Sequence, residues 1–322
     1  MNRYHLVHVT EFVYDGLVSE SYNEVRLRPI HDDRQSCLSF RLQTAPASRV
    51  SSHRDYFGNW VHQFNVLNEH RRLRVEAESV VLMHDEPPPR APLTLDQYEA
   101  RRDEVADEYY EYLVPAPFVP HLPETAALAE EAGNASDGTA RGLAASLSML
   151  VHTRFRYEKG ATHVHSSIED SLRLGAGVCQ DFAHLFLSAA RSRGFAARYV
   201  SGYLVTAVSN QEGIGMEEVV GGQASHAWAE MYVPGEGWIG VDPTLGAPVA
   251  SRHVRVAYGR DYGDVAPVRG VYKGHAGQRL HVDVCVRPAL SDDGHEQLEG
   301  SAAAPAEPVA EDAPQQQPQQ QQ

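Results

Sequence analysis

Apolar and polar positions fall into distinct regimes along this chain. Over residues 1–85 they alternate in short runs, as in YHLVHVTEFVYDG and in CLSFRLQTA, where Leu38, Phe40 and Leu42 recur at period two. Period two sends successive side chains to opposite faces of a strand. Asp15-Gly16 ends the first run with a turn signal, so SYNEVRLRPI is expected to form a second strand. RDYFGNWVHQFNVLNEHRRLRVEAESVVLM adds three short strands, with turns at Tyr56, Gly58 and Asn59 and at residues 68–70. Short strands with regular turns predict a β-sandwich-like N-terminal domain over 1–85.

The alternation stops at residue 86. EPPPRAP is a Pro-rich extended linker, and the acidic, aromatic TLDQYEARRDEVADEYYEYLVPAPFVP predicts a helical or irregular strap packed on the surface. Together they form a connector over 86–122. Helical spacing takes over in LPETAALAEEAG, with Gly133 near its end, and in TARGLAASLSMLVHTRF, where Leu143, Leu147, Leu150 and Val151 share a face. After Cys179, the residues Phe182, Leu185, Phe186 and Ala189 repeat at the same spacing, and Gly194 closes that helix. FAARYVSGYLVTAV, SHAWAEMYV and GWIGVDPTL read as strands, the last two joined as a hairpin through Pro234-Gly235-Glu236-Gly237. Beyond residue 250 one further strand is expected, RLHVDVCVR, which extends a core spanning 123–288. The Ala/Pro/Gln-rich tail over 289–322 has few apolar anchors and is expected to be disordered.

Composition narrows the function classes. A formal charge of −15 argues against nucleic acid as a partner, because a phosphate backbone is repelled by it. No apolar run approaches the ~18 residues of a membrane span, and MNRYHLVHVTEFVYDG reads as a strand, not as a signal peptide. Three widely spaced cysteines give no disulfide framework and suit a reducing cytoplasm. No EF-hand-type calcium loop is present, and His163 and His165 lack a partner at zinc-like spacing, so neither metal nor cofactor is expected.

The chemistry concentrates in GAGVCQDFAH, residues 175–184. A cysteine in the first turn of a helix faces unpaired backbone N–H groups that stabilise a thiolate. Gly175 and Gly177 permit a tight approach to Cys179 and close access for a substrate backbone. The imidazole must come from elsewhere, and His226 at the head of SHAWAEMYV is the candidate. Asp242, in GWIGVDPT, is the candidate to orient it.

Hairpin register tests this grouping. If Val233 pairs with Trp238, Asp242 falls opposite Ala229 and off the His226 face. Irregular pairing is therefore expected, through a bulge or an odd loop such as residues 235–237.

GAGVCQDFAHLFLSAARSRGFAARYVSGYL, followed by SHAWAEMYVPGEGWIGVDPTLG, resembles the core of the bacterial transglutaminase-like proteins, within the papain-like cysteine enzyme superfamily. YHLVHVTEFVYDGLVSESYNEVRLRP and RDYFGNWVHQFNV are similar to the N-terminal β-region of that family, so the resemblance covers about residues 1–250. It implies an α+β fold, with a papain-like/transglutaminase-like core of helices packed on an antiparallel sheet. It also implies Cys179 as nucleophile, His226 as general base and acid, and Asp242 as orienting carboxylate. The implied reaction is acyl transfer on a peptide or amide substrate through a thioester, with hydrolysis favoured over protein crosslinking. The rival reading is a non-catalytic module that holds peptides in the same cleft. The backbone N–H of Cys179 is the natural first oxyanion donor, and Tyr157, Thr162 and His165 stay open as side-chain donors. His184 reads as a satisfied polar residue, Cys37 and Cys285 as buried and inert. Trp228 and Trp238 read as walls of the hairpin, with a substrate-contacting role for Trp228 as the alternative. The partners expected are thus a peptide or protein substrate, with neither nucleic acid nor membrane.

Overall fold

A computed structural model describes residues 2–85, 91–205 and 225–289. Most of the Pro-rich linker, the last three residues of FAARYVSGYLVTAV and the tail from 290 lie outside the described residues.

Five strands open the fold: β1 (Arg3–Val25), β2 (Gln35–Ala45), β3 (Ser51–Arg54), β4 (Trp60–Val66) and β5 (His70–Met83). The alternation in β1 is realised side chain by side chain. Tyr4, Leu6, His8, Thr10, Phe12 and Tyr14 are buried, and their partners on β5 include Val81, Ser79, Ala77, Val75 and Leu73. Asp15-Gly16 does not turn the chain, contrary to expectation. β1 runs through it as one strand, with a register shift against β5 between Val13 and Val18. The physical reason is that the two halves of β1 serve two wings of one curled antiparallel sheet, so the chain bends there without reversing. The first half pairs with β5 and the second with β4. Phe12, Val25, Phe64, Leu73 and Val75 fill the space between the wings, which gives the sandwich-like character. Leu38 is exposed, because a register shift in β2 between Cys37 and Ser39 removes it from the period-two pattern.

The connector forms α1 (Leu95–Glu99), α2 (Arg102–Tyr109) and a 3-10 turn over Tyr110–Tyr112. It is helical as expected, but it is not a surface strap. Tyr98, Val105 and Tyr112 are buried in the main core, and Tyr98 stacks on Phe195 with ring centres 4.1 Å apart.

The core follows with α3 (Pro123–Ala135), α4 (Ala140–Arg154), β6 (Arg156–Tyr157), α5 (Ile168–Leu174), β7 (Ala176–Gly177), α6 (Cys179–Ser192), β8 (Ala197–Leu204), β9 (His226–Val233), β10 (Gly237–Asp242), β11 (Ala247–Pro248) and β12 (His253–Gly259). The antiparallel sheet has the order β11-β10-β9-β8-β12. One apolar face was expected for α6, but the helix is central: Ala183, Leu185, Phe186, Leu187, Ala189 and Ala190 are all buried. Its polar stripe, Asp181, His184, Ser188 and Arg191, is buried as well, each with hydrogen-bond partners inside the protein. Ala227, Ala229 and Met231 of β9 face the same core as α6. At the β8–β12 edge the sheet meets the N-terminal wings through Tyr4, Leu6, Val81 and Met83 packed on Tyr203, Val254 and Val256.

The segment after residue 250 holds more structure than the single strand expected. After β12 come α7 (Tyr262–Val265), β13 (Val268–Lys273) and β14 (Gln278–Pro288). β12 completes the core sheet, whereas β13 and β14 leave the core and pair with β1. The two ends of the described chain thus close one sheet.

Candidate active site

Cys179 is the first residue of α6 and is held from both sides. Upstream, β6 and β7 pair in parallel, with Glu158 N donating to Gly177 O at 3.0 Å. Downstream, Asp181 reaches back over the helix start. Its Oδ2 accepts the Val178 N–H at 2.8 Å and the Thr162 hydroxyl at 2.5 Å. A Cβ on Gly177 would sit 2.7 Å from that oxygen, so a side chain at this position would displace the cap. The half-buried Cys179 thiol therefore stands at the positive end of a 14-residue helix, where an anion is favoured.

The hairpin resolves the register question without a bulge. Gly237 pairs with Val233 and Val241 with Ala229 in an unbroken ladder, so Asp242 extends opposite Trp228. Asp242 then shares a face with Trp228 and His226, since residues two apart point the same way. The connecting loop is an odd one, residues 234–236, one residue shorter than the simple register requires. Gly235 and Gly237 take φ of 83° and 86°, a left-handed backbone that side chains other than glycine rarely adopt. Glu236 in this loop accepts Arg141 Nη2 at 2.6 Å and Leu93 N at 3.3 Å, which ties the loop to α4 and the connector.

The His226 and Asp242 side chains meet at 2.8 Å, His226 Nε2 to Asp242 Oδ2, and both are buried. The other ring nitrogen, Nδ1, is not on the carboxylate, and the Cys179 thiol lies near enough to act on the ring. Burial works against an imidazolium here. The hydrogen bonds to Asp242 and Cys179 and the charges on both outweigh it, so the His226 pKa is pushed up to about 10. Burial would likewise neutralise Asp242. Its bonds to two imidazoles, and their charges, hold the carboxyl far below the usual carboxylate range. Asp242 Oδ1 also accepts Thr244 N at 2.9 Å and Leu245 N at 3.3 Å.

The second imidazole on Asp242 is His253, which sequence reasoning missed. Its Nε2 lies 3.1 Å from the same Oδ2, and the residue is fully enclosed at the head of β12. The signal was available in the alternation of Val254, Val256 and Tyr258, which marks a strand beginning at residue 253. Among the described residues, His226, Asp242 and His253 are also the one group whose ligand atoms lie close enough to hold a metal ion. Both Nε2 atoms are committed to the carboxylate as hydrogen-bond donors, so a cation would have to displace those bonds.

The remaining candidates separate. The Thr162 hydroxyl is committed to Asp181. His165 is exposed, with its backbone N–H on His163 Nδ1. Tyr157 lies near the sulfur: burial, then the Cys179 charge, pushes its hydroxyl up to about 12. His184 is satisfied as expected. It accepts Tyr262 N at 3.2 Å and stacks on Phe118, and burial pushes its pKa down to about 3. Cys37 and Cys285 are half-buried, not buried as expected, because Cys37 borders the β2 irregularity and Cys285 lies on the largely exposed β14. Trp228 is fully buried against Val200 and Val249, which makes it a core residue. Trp238 is partly covered by Tyr109, Tyr112 and Tyr232 and by the Arg198 guanidinium. Among the described residues no helix is long and apolar enough to cross a membrane.

Comparison with known proteins bears on the family and the fold. Residues 4–82 match the bacterial transglutaminase-like N-terminal region, and residues 126–243 match the transglutaminase-like superfamily. An uncharacterized protein of Mycobacterium leprae is 34% identical over 284 residues, covering 88% of this chain and 98% of that one. An uncharacterized protein of Mycobacterium tuberculosis is 33% identical over 323 residues, covering 91% and 95%. The fold is similar to a crystal structure of a provisionally named cysteine protease from Cytophaga hutchinsonii. The TM-score is 0.69 at 18% identity, over 90% of this chain and 92% of that one. With matches to both regions in order, and relatives aligned over nearly their whole length, the chain belongs to the bacterial transglutaminase-like family.

Proposed function

We propose that this protein is a cysteine-dependent enzyme that hydrolyses peptide or amide bonds, with Cys179 as nucleophile, His226 as general acid and base, and Asp242 as the orienting carboxylate. One observation carries the reading: the His226 ring is held on the Asp242 carboxylate through Nε2 at 2.8 Å, which leaves Nδ1 for the Cys179 thiol that acts on the same ring. The raised pKa of His226 supports an imidazolium that holds a thiolate beside it.

The chemistry then runs in two halves. The thiolate attacks the amide carbonyl carbon, forming a C–S bond and placing negative charge on the carbonyl oxygen. The Cys179 backbone N–H, unpaired in the first turn of α6, is the first donor to that oxygen. Tyr157 is the side-chain donor we favour, since its hydroxyl senses the Cys179 charge. As the C–N bond breaks, the His226 Nδ1–H protonates the leaving amine, and a thioester remains. Neutral His226 next removes a proton from water. The resulting hydroxide attacks the thioester, the C–S bond breaks, and a carboxylic acid leaves. Water is the proposed acceptor because hydrolysis asks only that water reach the thioester, whereas crosslinking needs water excluded and an amine admitted. The name carried by the Cytophaga hutchinsonii structure points the same way. Three unpaired thiols suit a reducing compartment, and we place the protein in the cytoplasm.

The test is mass analysis of a peptide library incubated with wild type and with Cys179→Ala. Hydrolysis gives products whose masses sum to substrate plus water, with wild type only. Loss of ammonia or joined peptides would instead assign an amine acceptor. Unchanged peptides that co-elute with the protein would mark a binding module.

A further inference from the structure

Resting on the Cys179–His226–Asp242 reading, we infer that His253 is a positioning residue of the same site, a second imidazole that fixes the Asp242 carboxylate by sharing the Oδ2 oxygen with His226. The bonding assigns its proton. Asp242 is held ionised, so its Oδ2 accepts, and His253 Nε2 at 3.1 Å must donate. Its Nδ1 lies 3.1 Å from Ala250 N and 3.3 Å from Ala250 O, so the far end of the ring is anchored on the turn that precedes β12.

The consequence for Asp242 is a complete set of donors: two backbone N–H groups on Oδ1 and two imidazoles on Oδ2, with no room for the carboxylate to turn. The T-shaped packing of His253 against Trp228, with ring centres 5.2 Å apart, sets its angle, and Trp228 in turn lies against His226. Without His253, Oδ2 keeps one donor, the carboxylate gains freedom to rotate, and the His226 ring loses its fixed direction towards the thiol.

The experiment measures the iodoacetamide alkylation rate of Cys179 at pH 6.5 by peptide mass spectrometry, with Cys37 and Cys285 as internal standards. The variants are His253→Phe, which fills the space without a donor, and His253→Gln, which restores an N–H donor without a titrating ring. The expected result is a loss of roughly 10- to 100-fold in His253→Phe, the worth of one hydrogen bond to a charged group. His253→Gln should recover most of that loss. Equal slowing in both variants would reduce His253 to packing, and wild-type rates in His253→Phe would remove any role, both with the triad intact. If Cys179 of the wild type is no faster than the internal standards and is indifferent to His226→Ala, the triad reading itself falls and this inference falls with it. Imidazole 15N spectra of the wild-type chain decide the case should the variants fail to fold: an Nε2 of His253 without a proton would overturn the assignment, and a protonated Nε2 supports it.

Discussion

Replacing Asp242 by Asn changes a few atoms and reverses the logic of the site. The carboxylate accepts four hydrogen bonds, and the residue is completely buried. An amide has one accepting end. If its oxygen stays on Thr244 N and Leu245 N, its NH2 faces two imidazole Nε2 atoms that now must accept. His226 is forced into the Nδ1–H tautomer, without an anion to sustain an imidazolium, and a wrong tautomer in such a triad costs about 10⁴ in turnover. Stability falls too. Each imidazole–carboxylate bond is worth about 1.5–3 kcal/mol, and part of that returns through amide-to-imidazole bonds, so a net loss of about 3 kcal/mol is expected. For a domain of this size that lowers Tm by about 6–12 °C. The pH dependence has a definite sign. Asp242 has a depressed pKa when folded, so its contribution is present above the unfolded aspartate value of about 3.9 and is lost as pH falls below it. The gap in Tm between wild type and Asp242→Asn is therefore widest at pH 7 and narrows below about pH 4. Calorimetry at pH 7 and pH 3.5, with Cys179 alkylation beside it, makes the check. A variant that keeps more than a tenth of the alkylation rate and melts within about 2 °C of wild type at pH 7 would refute the reasoning.

Other consequences follow from the same geometry. Inserting one glycine between Gly235 and Glu236 shifts hairpin parity, so Cys179 alkylation should drop to the level of His226→Ala while circular dichroism stays native; retained reactivity would show that loop length does not set the register of Asp242. Glu230 is wholly buried, and despite burial the charges of Arg255 and Arg198 hold it down to about 2. Glu230→Leu takes the carboxylate from Arg198 and leaves Arg255 with Asp32 alone, and should cost about 3–5 kcal/mol in urea melts, partly recovered in Glu230→Leu/Arg255→Met; a loss under about 1 kcal/mol would exclude the network as a support. His226 has a raised pKa, so its stabilisation is complete below the unfolded histidine value of about 6.5 and declines to nothing as pH rises through about 10. Urea midpoints of wild type should therefore fall across that window more than those of His226→Gln, and parallel curves would contradict the imidazolium.

How far the sequence discloses this site depends on which signals are local. Cys179 is legible because a glycine-flanked helix start is a local feature, and the alternation in SHAWAEMYV and GWIGVDPT places His226 and Asp242 on strands. Whether those two meet is a matter of parity, which turns on one residue in the loop, and Glu236 held by Arg141 and Leu93 settles it from outside the hairpin. His253 is legible as the head of a strand but not as part of the site, for a related reason: β12 joins the core sheet through its pairing with β8, not with the hairpin. The N-terminal region shows the same division. Its period-two alternation predicts strands, but Asp15-Gly16 reads as a turn until β13 and β14, more than 250 residues away, return to pair with β1 on either side of it. The connector misleads in a third way. Its acidic residues are exposed on one side, while Tyr98, Val105 and Tyr112 supply a sparse apolar face that a short helix buries completely.

The most direct measurement is the rate at which iodoacetamide modifies each of the three cysteines between pH 5 and 9, read by peptide mass spectrometry in wild type and His226→Ala. A thiolate paired with imidazolium gives selective modification of Cys179 at pH 6–7, well ahead of Cys37 and Cys285, and His226→Ala abolishes that lead. Modification of all three at similar slow rates, rising together only at alkaline pH and unchanged in His226→Ala, would contradict a catalytic Cys179 and leave the fold alone standing.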